Sequence, residues 1–250
     1  MKIQHLRNAT MILRFDAHSL LVDPMLSKPK SFIPFRLWGK NRRRNPLVPL
    51  PDESDQALKT VTGIILTHNH PDHFDSAGQD WAKTNKIPVW TDSRAVAKLK
   101  KKGQNARDLR TAGIGTVEVI PSTHGRGIMG KVLGRVVGYY IAPPHQPSIY
   151  LIGDSIMTDS VMDAISRLQP DIIVAPAGAA NFGIGGDILF SVDELVVLAK
   201  HAPDSQIVFN HLEALDHCPT TRDGLRARMH EEGLSNQIHI PEDGEELEFN

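Results

Sequence analysis

The alternation of apolar and polar residues divides the chain into a β-rich beginning, a middle of alternating strands and helices, and a β-rich end. Three closely spaced apolar runs, at 2–6, 10–15 and 19–22, predict an antiparallel meander. Further strands are predicted at 61–66, 87–90, 117–120, 134–141, 148–152, 171–175, 206–209, 237–240 and 246–249. Helical periodicity and capping signals predict helices over 76–85, 93–102, 159–168, 192–201 and 221–232.

This order of elements favours an α/β (α+β) fold in which mixed β-sheets are covered by helices. Because no linker, low-complexity tract or short-period repeat interrupts the chain, we expect one domain over residues 1–250. A length of 250 residues is sufficient to bury a sizeable core.

The stretch from 24 to 51, called the basic loop below, has no predicted element, is rich in proline and contains no acidic residue. Phe32, Phe35 and Trp38 are interleaved with its basic residues. Those residues are Lys28, Lys30, Arg36, Lys40, Arg42, Arg43 and Arg44. Since loops of this length are usually functional, we consider a lid over a phosphorylated substrate, an oligomer or surface contact, a contact with anionic lipid or RNA, and an ordinary solvated loop.

Composition narrows the class of protein. The net charge of −1 excludes a uniformly basic nucleic-acid-binding protein, but removing the seven cations of the basic loop from it leaves −8 for the rest of the chain. The single cysteine, Cys218, excludes a disulfide scaffold and a cysteine-rich zinc site and fits a reducing compartment. The first residues lack the apolar core of a signal peptide, so we expect a cytoplasmic protein.

The candidate chemistry is concentrated directly after the fourth predicted strand, where residues 68–73 read HNHPDH. In extended backbone, residues two apart share a face, so His68 and His70 can converge on one point. The proline that follows turns the chain and brings Asp72 and His73 to an adjacent position. Neutral imidazoles together with a carboxylate suit a borderline divalent cation such as zinc.

This segment resembles the HxHxDH signature of the metallo-β-lactamase superfamily. The resemblance extends, in order, to three later residues that each follow an apolar run, His124, Asp154 and His211. It implies a four-layer αβ/βα sandwich of two mixed β-sheets flanked by helices. Asp23, which ends the third apolar run, matches an early strand of the family, and we expect a structural role for it.

The resemblance also implies a set of metal ligands. They are His68, His70 and His124 for one ion, Asp72, His73 and His211 for the second, and Asp154 as the bridge between the two. The implied cofactors are two divalent metal ions, zinc first, with manganese or iron as alternatives. Asp72 and Asp154 are the candidate catalytic residues. His217 is an alternative last ligand, because the stretch HLEALDHC places two histidines six residues apart.

Two cations in one site activate a water molecule and polarise the bond that it attacks. We therefore expect a binuclear hydrolase that uses a metal-bridging hydroxide to cleave an ester, lactone or phosphodiester bond, in an anionic or phosphorylated small molecule. The spacing from His124 to Asp154 resembles the branch that includes L-ascorbate-6-phosphate lactonase and N-acyl phospholipid phospholipase D. Two alternatives stay open: a nuclease or other nucleic-acid-processing enzyme with the same metals, and a non-catalytic metal-binding sensor.

Three residues are candidates for contacts with the substrate. Arg126 follows His124 closely and can meet an anionic group, Asp187 ends the glycine-rich stretch 181–187, and His217 lies near the last ligand. The proton donor for the leaving group is left open. As partners we expect a small-molecule substrate and no stable nucleic-acid or membrane partner, with a homo-oligomer left open.

Overall fold

Two mixed β-sheets lie face to face in the computed structural model, which describes residues 1–183 and 186–250. The strands are β1 (Lys2–Arg7), β2 (Thr10–Phe15), β3 (His18–Val22), β4 (Gly63–Ile65), β5 (Val89–Thr91), β6 (Ala106–Asp108), β7 (Thr116–Thr123), β8 (Arg135–Ala142), β9 (Ile149–Leu151), β10 (Ile172–Pro176), β11 (Gln206–Asn210), β12 (Ile238–His239) and β13 (Glu246–Glu248). The helices are α1 (Ser54–Leu58), α2 (Ser76–Thr84), α3 (Ser93–Lys101), α4 (Gly127–Leu133), α5 (Asp159–Leu168), α6 (Val192–His201) and α7 (Arg222–Glu231), with a short 3₁₀ helix at Leu109–Thr111.

Both sheets combine parallel and antiparallel pairing. The first has the order β13-β1-β2-β3-β4-β5-β6 and the second the order β12-β11-β10-β9-β8-β7. Strands β1, β2 and β3 form the antiparallel meander that their spacing predicts, and β3 to β6 run parallel. In the second sheet β9 to β12 run parallel, and β8 is antiparallel to both β7 and β9.

Three apolar layers hold these elements together. Between the sheets, Leu13 and Leu20 of the first sheet belong to the same core as Tyr139 and Leu151 of the second. Helices α5, α6 and α7 cover the outer face of the second sheet, and α1, α2 and α3 cover that of the first. The order helix, sheet, sheet, helix confirms the α/β class and the four-layer sandwich.

Helix α6 shows how the sequence specifies such a covering helix. Ser191 and Glu194 form a capping box, in which each side chain satisfies a backbone N–H of the first turn. The apolar residues Leu195, Leu198 and Ala199 follow at a spacing of three and four, so they share the face that is buried on the sheet.

Helix α4 is not predicted by the sequence pattern, nor are the short elements α1 and β6. Glycines at 127 and 130 weaken helical propensity and interrupt the apolar periodicity of α4. Gly130 has a packing reason, because a Cβ atom there would lie 2.5 Å from the carbonyl oxygen of Gly125. The close packing at the start of α4 therefore requires glycine, a residue type that sequence patterns associate with the absence of a helix.

The basic loop is attached to the body of the protein at several points, among them the buried guanidinium of Arg7, which donates to the carbonyl groups of Met25, Ser27 and Val48, and the buried carboxylate of Asp216. Residues 24–51, all of which the structure describes, form no helix and only an isolated β-bridge between Phe32 and Asn45. The Asp216 carboxylate accepts hydrogen bonds from the backbone N–H of Phe35 (2.9 Å) and Arg43 (3.2 Å) and from Asn45 Nδ2 (2.8 Å). The loop is thus docked on the segment that follows β11. Among the described residues, no helix is both long and apolar enough to cross a membrane.

We expect the covering of the second sheet by α6 to be a major source of stability. Leu198 is 0 % exposed and its neighbour Val197 is 52 % exposed. Replacing Leu198 by Ala should lower the free energy of unfolding by about 2–5 kcal/mol, because it leaves a cavity. Val197→Ala should change it by less than about 0.5 kcal/mol. Urea denaturation of both variants measures the difference, and equal effects would contradict this packing of α6.

Candidate metal centre

The predicted ligands meet at one edge of the sandwich, where strands of both sheets end. His68 lies three residues after β4, and His124 follows β7 directly. Asp154 lies three residues after β9, and His211 follows β11 directly. Strands that run in the same direction end at the same edge of a sheet, which is why residues distant in sequence are brought together here.

The side chains form two adjoining groups, and within each group the ligand atoms lie within 4.8 Å of one another. The groups are His68, His70 and His124, and Asp72, His73, Asp154 and His211. Asp154 connects them, because its Oδ2 atom lies 3.1 Å from His73 Nε2, 3.4 Å from His124 Nε2, 3.6 Å from His211 Nε2 and 3.9 Å from His68 Nε2. This central place fits the bridging role that the resemblance implies.

Backbone carbonyl groups orient two of the histidines. His124 Nδ1 donates to the carbonyl oxygen of Ile188 (2.9 Å), and His70 Nε2 donates to that of Leu133 (2.9 Å), since a carbonyl oxygen can only accept. In a neutral imidazole the other nitrogen is then unprotonated. His124 Nε2 and His70 Nδ1 are therefore the atoms available to a metal ion.

Asp23 orients two further histidines from behind. Its Oδ2 atom accepts from His73 Nδ1 (2.9 Å) and from the hydroxyl of Thr67 (2.6 Å). The Thr67 oxygen can in turn accept from His68 Nδ1 (3.0 Å). Both imidazoles thus direct Nε2 toward Asp154, and in the neutral form of each ring this is the unprotonated nitrogen. A carboxylate behind a ligand histidine fixes its orientation and increases its basicity, so the structural role expected for Asp23 is an orienting one.

Several buried polar atoms of the centre have no hydrogen-bond partner among the residues that the structure describes. They are Nε2 of His68, His73 and His211, and Oδ1 of Asp154. Leaving buried polar atoms unsatisfied is costly, and such atoms usually indicate a missing ion or water. Nitrogen and carboxylate oxygen are ligands that zinc and related divalent cations accept. The residues therefore fit a metal ion.

The surroundings of these side chains shift their pKa values, and so their protonation affects the binding of a cation. Burial lowers the pKa of His68 and His124, so both imidazoles are neutral, as metal ligands must be. Burial alone would also lower the pKa of His73, but the charges of Asp154, Asp23 and Asp72 raise that pKa to about 10. Burial opposes ionisation of Asp154, yet the surrounding histidines, His73 above all, hold the pKa of its carboxyl well below the usual range. A cation entering this group would displace protons from imidazole.

His211, rather than His217, joins the ligand group. Its Nδ1 atom lies 3.4 Å from Cys218 Sγ, and its backbone has the left-handed φ of 59° that is uncommon outside glycine and is found at functional sites. Burial alone would raise the pKa of the Cys218 thiol, but His217 and His211 bring it to about 7. His217 is stacked on Phe182, with ring centroids 5.8 Å apart, and borders the centre.

The structure does not bring Arg126 and Asp187 into either group. Arg126 is exposed, and its Nη2 atom pairs with Glu194 Oε1 at 2.7 Å. Asp187 is exposed and forms a β-bridge with Asn181. Residues 184 and 185 of the glycine-rich stretch lie outside the described residues. The contribution of this region to the centre is the Ile188 carbonyl group, which holds His124.

Sequence reasoning missed the cations that lie beside the first group. A cavity of about 270 Å³ is bordered by the segment from His68 to His70 and also by Arg94, Lys98 and Arg135. Arg94 follows β5, which is parallel to β4 and adjacent to it in the sheet. The rule that parallel strands end at one edge would have pointed to this position.

A sandwich of two mixed sheets with these histidines and aspartates at one edge defines a metal-dependent hydrolase of the metallo-β-lactamase fold. The family described as Beta-lactamase superfamily domain matches residues 18–212. The chain belongs to this family.

Two curated relatives and two solved structures extend the comparison. The chain is 30 % identical to UPF0173 protein YddR of Bacillus subtilis (strain 168), covering 100 % of both chains. It is 24 % identical to UPF0173 metal-dependent hydrolase MJ1163 of Methanocaldococcus jannaschii, covering 94 % of this chain and 96 % of the relative. An isothiocyanate hydrolase from Delia radicum gut bacteria is 30 % identical, with a TM-score of 0.91 over 100 % of this chain and 99 % of the other. A possible metal-dependent hydrolase from Veillonella parvula DSM 2008 is 24 % identical, with a TM-score of 0.90 over 99 % and 98 %.

Removing the orienting carboxylate should weaken metal binding without removing a ligand. We expect Asp23→Asn to lower zinc affinity by about 10–100-fold, because an uncharged amide cannot hold His73 and Thr67 together in the same way. Asp16→Asn, an exposed aspartate in the turn between β2 and β3, is the matched control. Competition with a chelating zinc indicator measures both, and equal affinities in the two variants would contradict the role of Asp23.

Proposed function

We propose that the chain is a binuclear hydrolase that binds two divalent cations, zinc first, and cleaves an ester, lactone or phosphodiester bond in a small molecule. The ligands would be His68, His70 and His124 for one ion, Asp72, His73 and His211 for the other, and Asp154 for both. One observation carries the proposal: Asp154 Oδ2 lies within 3.9 Å of Nε2 atoms from both groups of histidines.

Two bound cations would lower the pKa of a water molecule in the site and withdraw electrons from the carbon or phosphorus under attack. The chain itself supplies the orientation of that water. Asp72 stays ionised at neutral pH, because the charges of His73 and His211 overcome the effect of burial and lower its pKa. Its Oδ2 atom, 3.4 Å from His211 Nε2, can accept a hydrogen bond from the attacking water and so direct the oxygen lone pair at the substrate.

A second candidate function is hydrolysis of an isothiocyanate. The observation that favours it is the similarity over the whole chain to a solved isothiocyanate hydrolase. Water would add to the central carbon of R–N=C=S, the C–N bond would then break, and the products would be R–NH₂ and carbonyl sulfide. The attacked atom is again an electrophilic carbon, so the same site and the same orientation of water would serve.

The cavity beside His70, called the anion site below, is the proposed binding site for an anionic part of the substrate. Arg94 and Lys98 are four residues apart on α3 and therefore project from the same face of that helix. Arg135 also borders the cavity, but its Nε atom lies 3.5 Å from Asp92 Oδ2, and Asp92 is in the lining too. Arg126 is likewise engaged, by Glu194.

The metal requirement can be tested by composition and turnover together. We expect purified protein loaded with Zn²⁺ to hold about two ions per chain, and His70→Ala and Asp154→Ala to lose metal and all measurable turnover. His230→Ala, an exposed histidine of α7, should keep both. Elemental analysis measures the metal. Fewer than one ion per chain, with no turnover on adding Zn²⁺ or Mn²⁺, would contradict the proposal.

A substrate panel distinguishes the bond types. Esters, lactones, phosphodiesters and isothiocyanates are compared with one metal loading, and release of a primary amine reports the last class. Turnover of isothiocyanates alone would replace the first candidate by the second. Cleavage of RNA or DNA that is absent from His68→Ala would indicate a nuclease, and stoichiometric metal without any turnover would indicate a sensor.

The anion site predicts that its variants change KM for an anionic substrate and not for a neutral one. For an anionic member of a matched substrate pair, Arg94→Ala and Lys98→Ala should raise KM about tenfold, because each loses a charge-assisted contact. For the neutral member KM should stay unchanged. Lys101→Ala, at the far end of α3, is the control. Equal effects on both members of the pair would show that the cavity does not receive the charge.

A further inference from the structure

A second cavity, of about 610 Å³, lies between the basic loop and the segment that leads from β11 into α7. Its walls contain none of the seven residues of the candidate metal centre. The cavity does reach Cys218, whose Sγ atom lies 3.4 Å from His211 Nδ1. It is therefore a separate space that adjoins the centre through one side chain.

The walls of this cavity carry an excess of positive charge. Arg36, Lys40 and Arg43 line it from the loop side, and Thr220 and Thr221 line it from the segment that leads into α7. Within residues 1–183 and 186–250, none of the cationic side chains of the basic loop forms an ion pair with a carboxylate. These cations are available to an anion from outside the chain.

The two carboxylates in the walls are already engaged. The oxygens of Asp216 accept the hydrogen bonds that dock the loop, including those from Phe35 N–H and Asn45 Nδ2. Glu213 Oε2 is paired with Arg222 Nη1 at 2.6 Å. Three cations and two carboxylates line the cavity, so its walls carry a net charge of +1, and both carboxylates already have partners.

Arg36 provides an independent sign of an absent ligand. Its Nε atom is buried and has no hydrogen-bond partner within residues 1–183 and 186–250. A buried guanidinium N–H without an acceptor is costly, and a ligand oxygen would remove the cost. Arginine N–H groups match phosphate oxygens in geometry as well as in charge.

We propose that this cavity binds a phosphate monoester. A phosphate group carries a charge of about −1.5 to −2 near neutral pH, which the three cations in the walls can compensate. The volume leaves room for an organic part, and the apolar side chains of Leu47, Leu215 and Pro219 are available to pack against it. Bound there, the ligand would join the basic loop to the segment that carries Cys218, and so stabilise the docked position of the loop beside the metal centre.

The test is calorimetric titration of the metal-loaded protein with inorganic phosphate, glucose 6-phosphate and glucose. We expect one site for the phosphorylated probes and no binding of glucose. Arg36→Ala and Arg43→Ala should each weaken binding by about tenfold or more, because each removes a charged hydrogen-bond donor. Tighter binding of glucose 6-phosphate than of phosphate would identify an ester as the ligand, and the reverse would identify free phosphate.

Arg44→Ala is the matched control. It removes the same charge from the same loop, but the Arg44 side chain is hydrogen-bonded to the Lys30 carbonyl group (2.8 Å) and does not line the cavity. Thermal unfolding shows whether each variant is folded, and the exposed Lys40→Ala replaces any that is not. Equal weakening by Arg44→Ala would indicate general charge attraction. Unchanged binding in the cavity variants would place the anion at the metals. Either result, or no binding at all, overturns the proposal.

Discussion

The structure depends on a buried negative charge that the chain surrounds with imidazole. The carboxylate of Asp154 is almost fully buried, and such a charge is stable only if opposite charge or hydrogen-bond donors compensate it. Four histidine Nε2 atoms face it, but three of them have no hydrogen atom to share when they are neutral, because their Nδ1 atoms donate elsewhere. Only protons on the imidazoles or a bound cation can balance this arrangement.

Each of the two sheets supplies part of this site. The first supplies the loop after β4, with His68 to His73, and Asp23 behind it. The second supplies His124, Asp154 and His211 from the ends of three strands. Since the apolar core between the sheets sets their separation, the distance between the residues that the first sheet supplies and those that the second supplies is determined by packing far from the site.

The local part of the centre could be predicted from sequence because its residues are neighbours in the chain. His68, His70, Asp72 and His73 lie within one turn-like segment, and the fold class follows from the order of strands and helices. His124, Asp154 and His211 are each common in isolation and gained meaning only from the family resemblance. Whether they bind metal stays a prediction.

Each feature of the site that the sequence did not predict was missed for a physical reason. The groups that hold His70 and His124 are backbone carbonyls of Leu133 and Ile188, and any residue type can supply a carbonyl. Helix α4, which positions Leu133, contains glycines that argue against a helix. Arg126 was expected near the substrate from its place in the chain. Its position in the sequence does not reveal that it forms an ion pair with Glu194, which lies on another helix.

The attachment of the basic loop has a consequence for how such a protein can change. Apart from Asn45, the groups that bind Asp216 are backbone N–H groups, those of Phe35, Arg36 and Arg43. A bond to the backbone does not depend on the side chain that the residue carries. The loop can therefore exchange most of its side chains and remain docked, so the loop and the candidate metal centre are free to vary independently of each other.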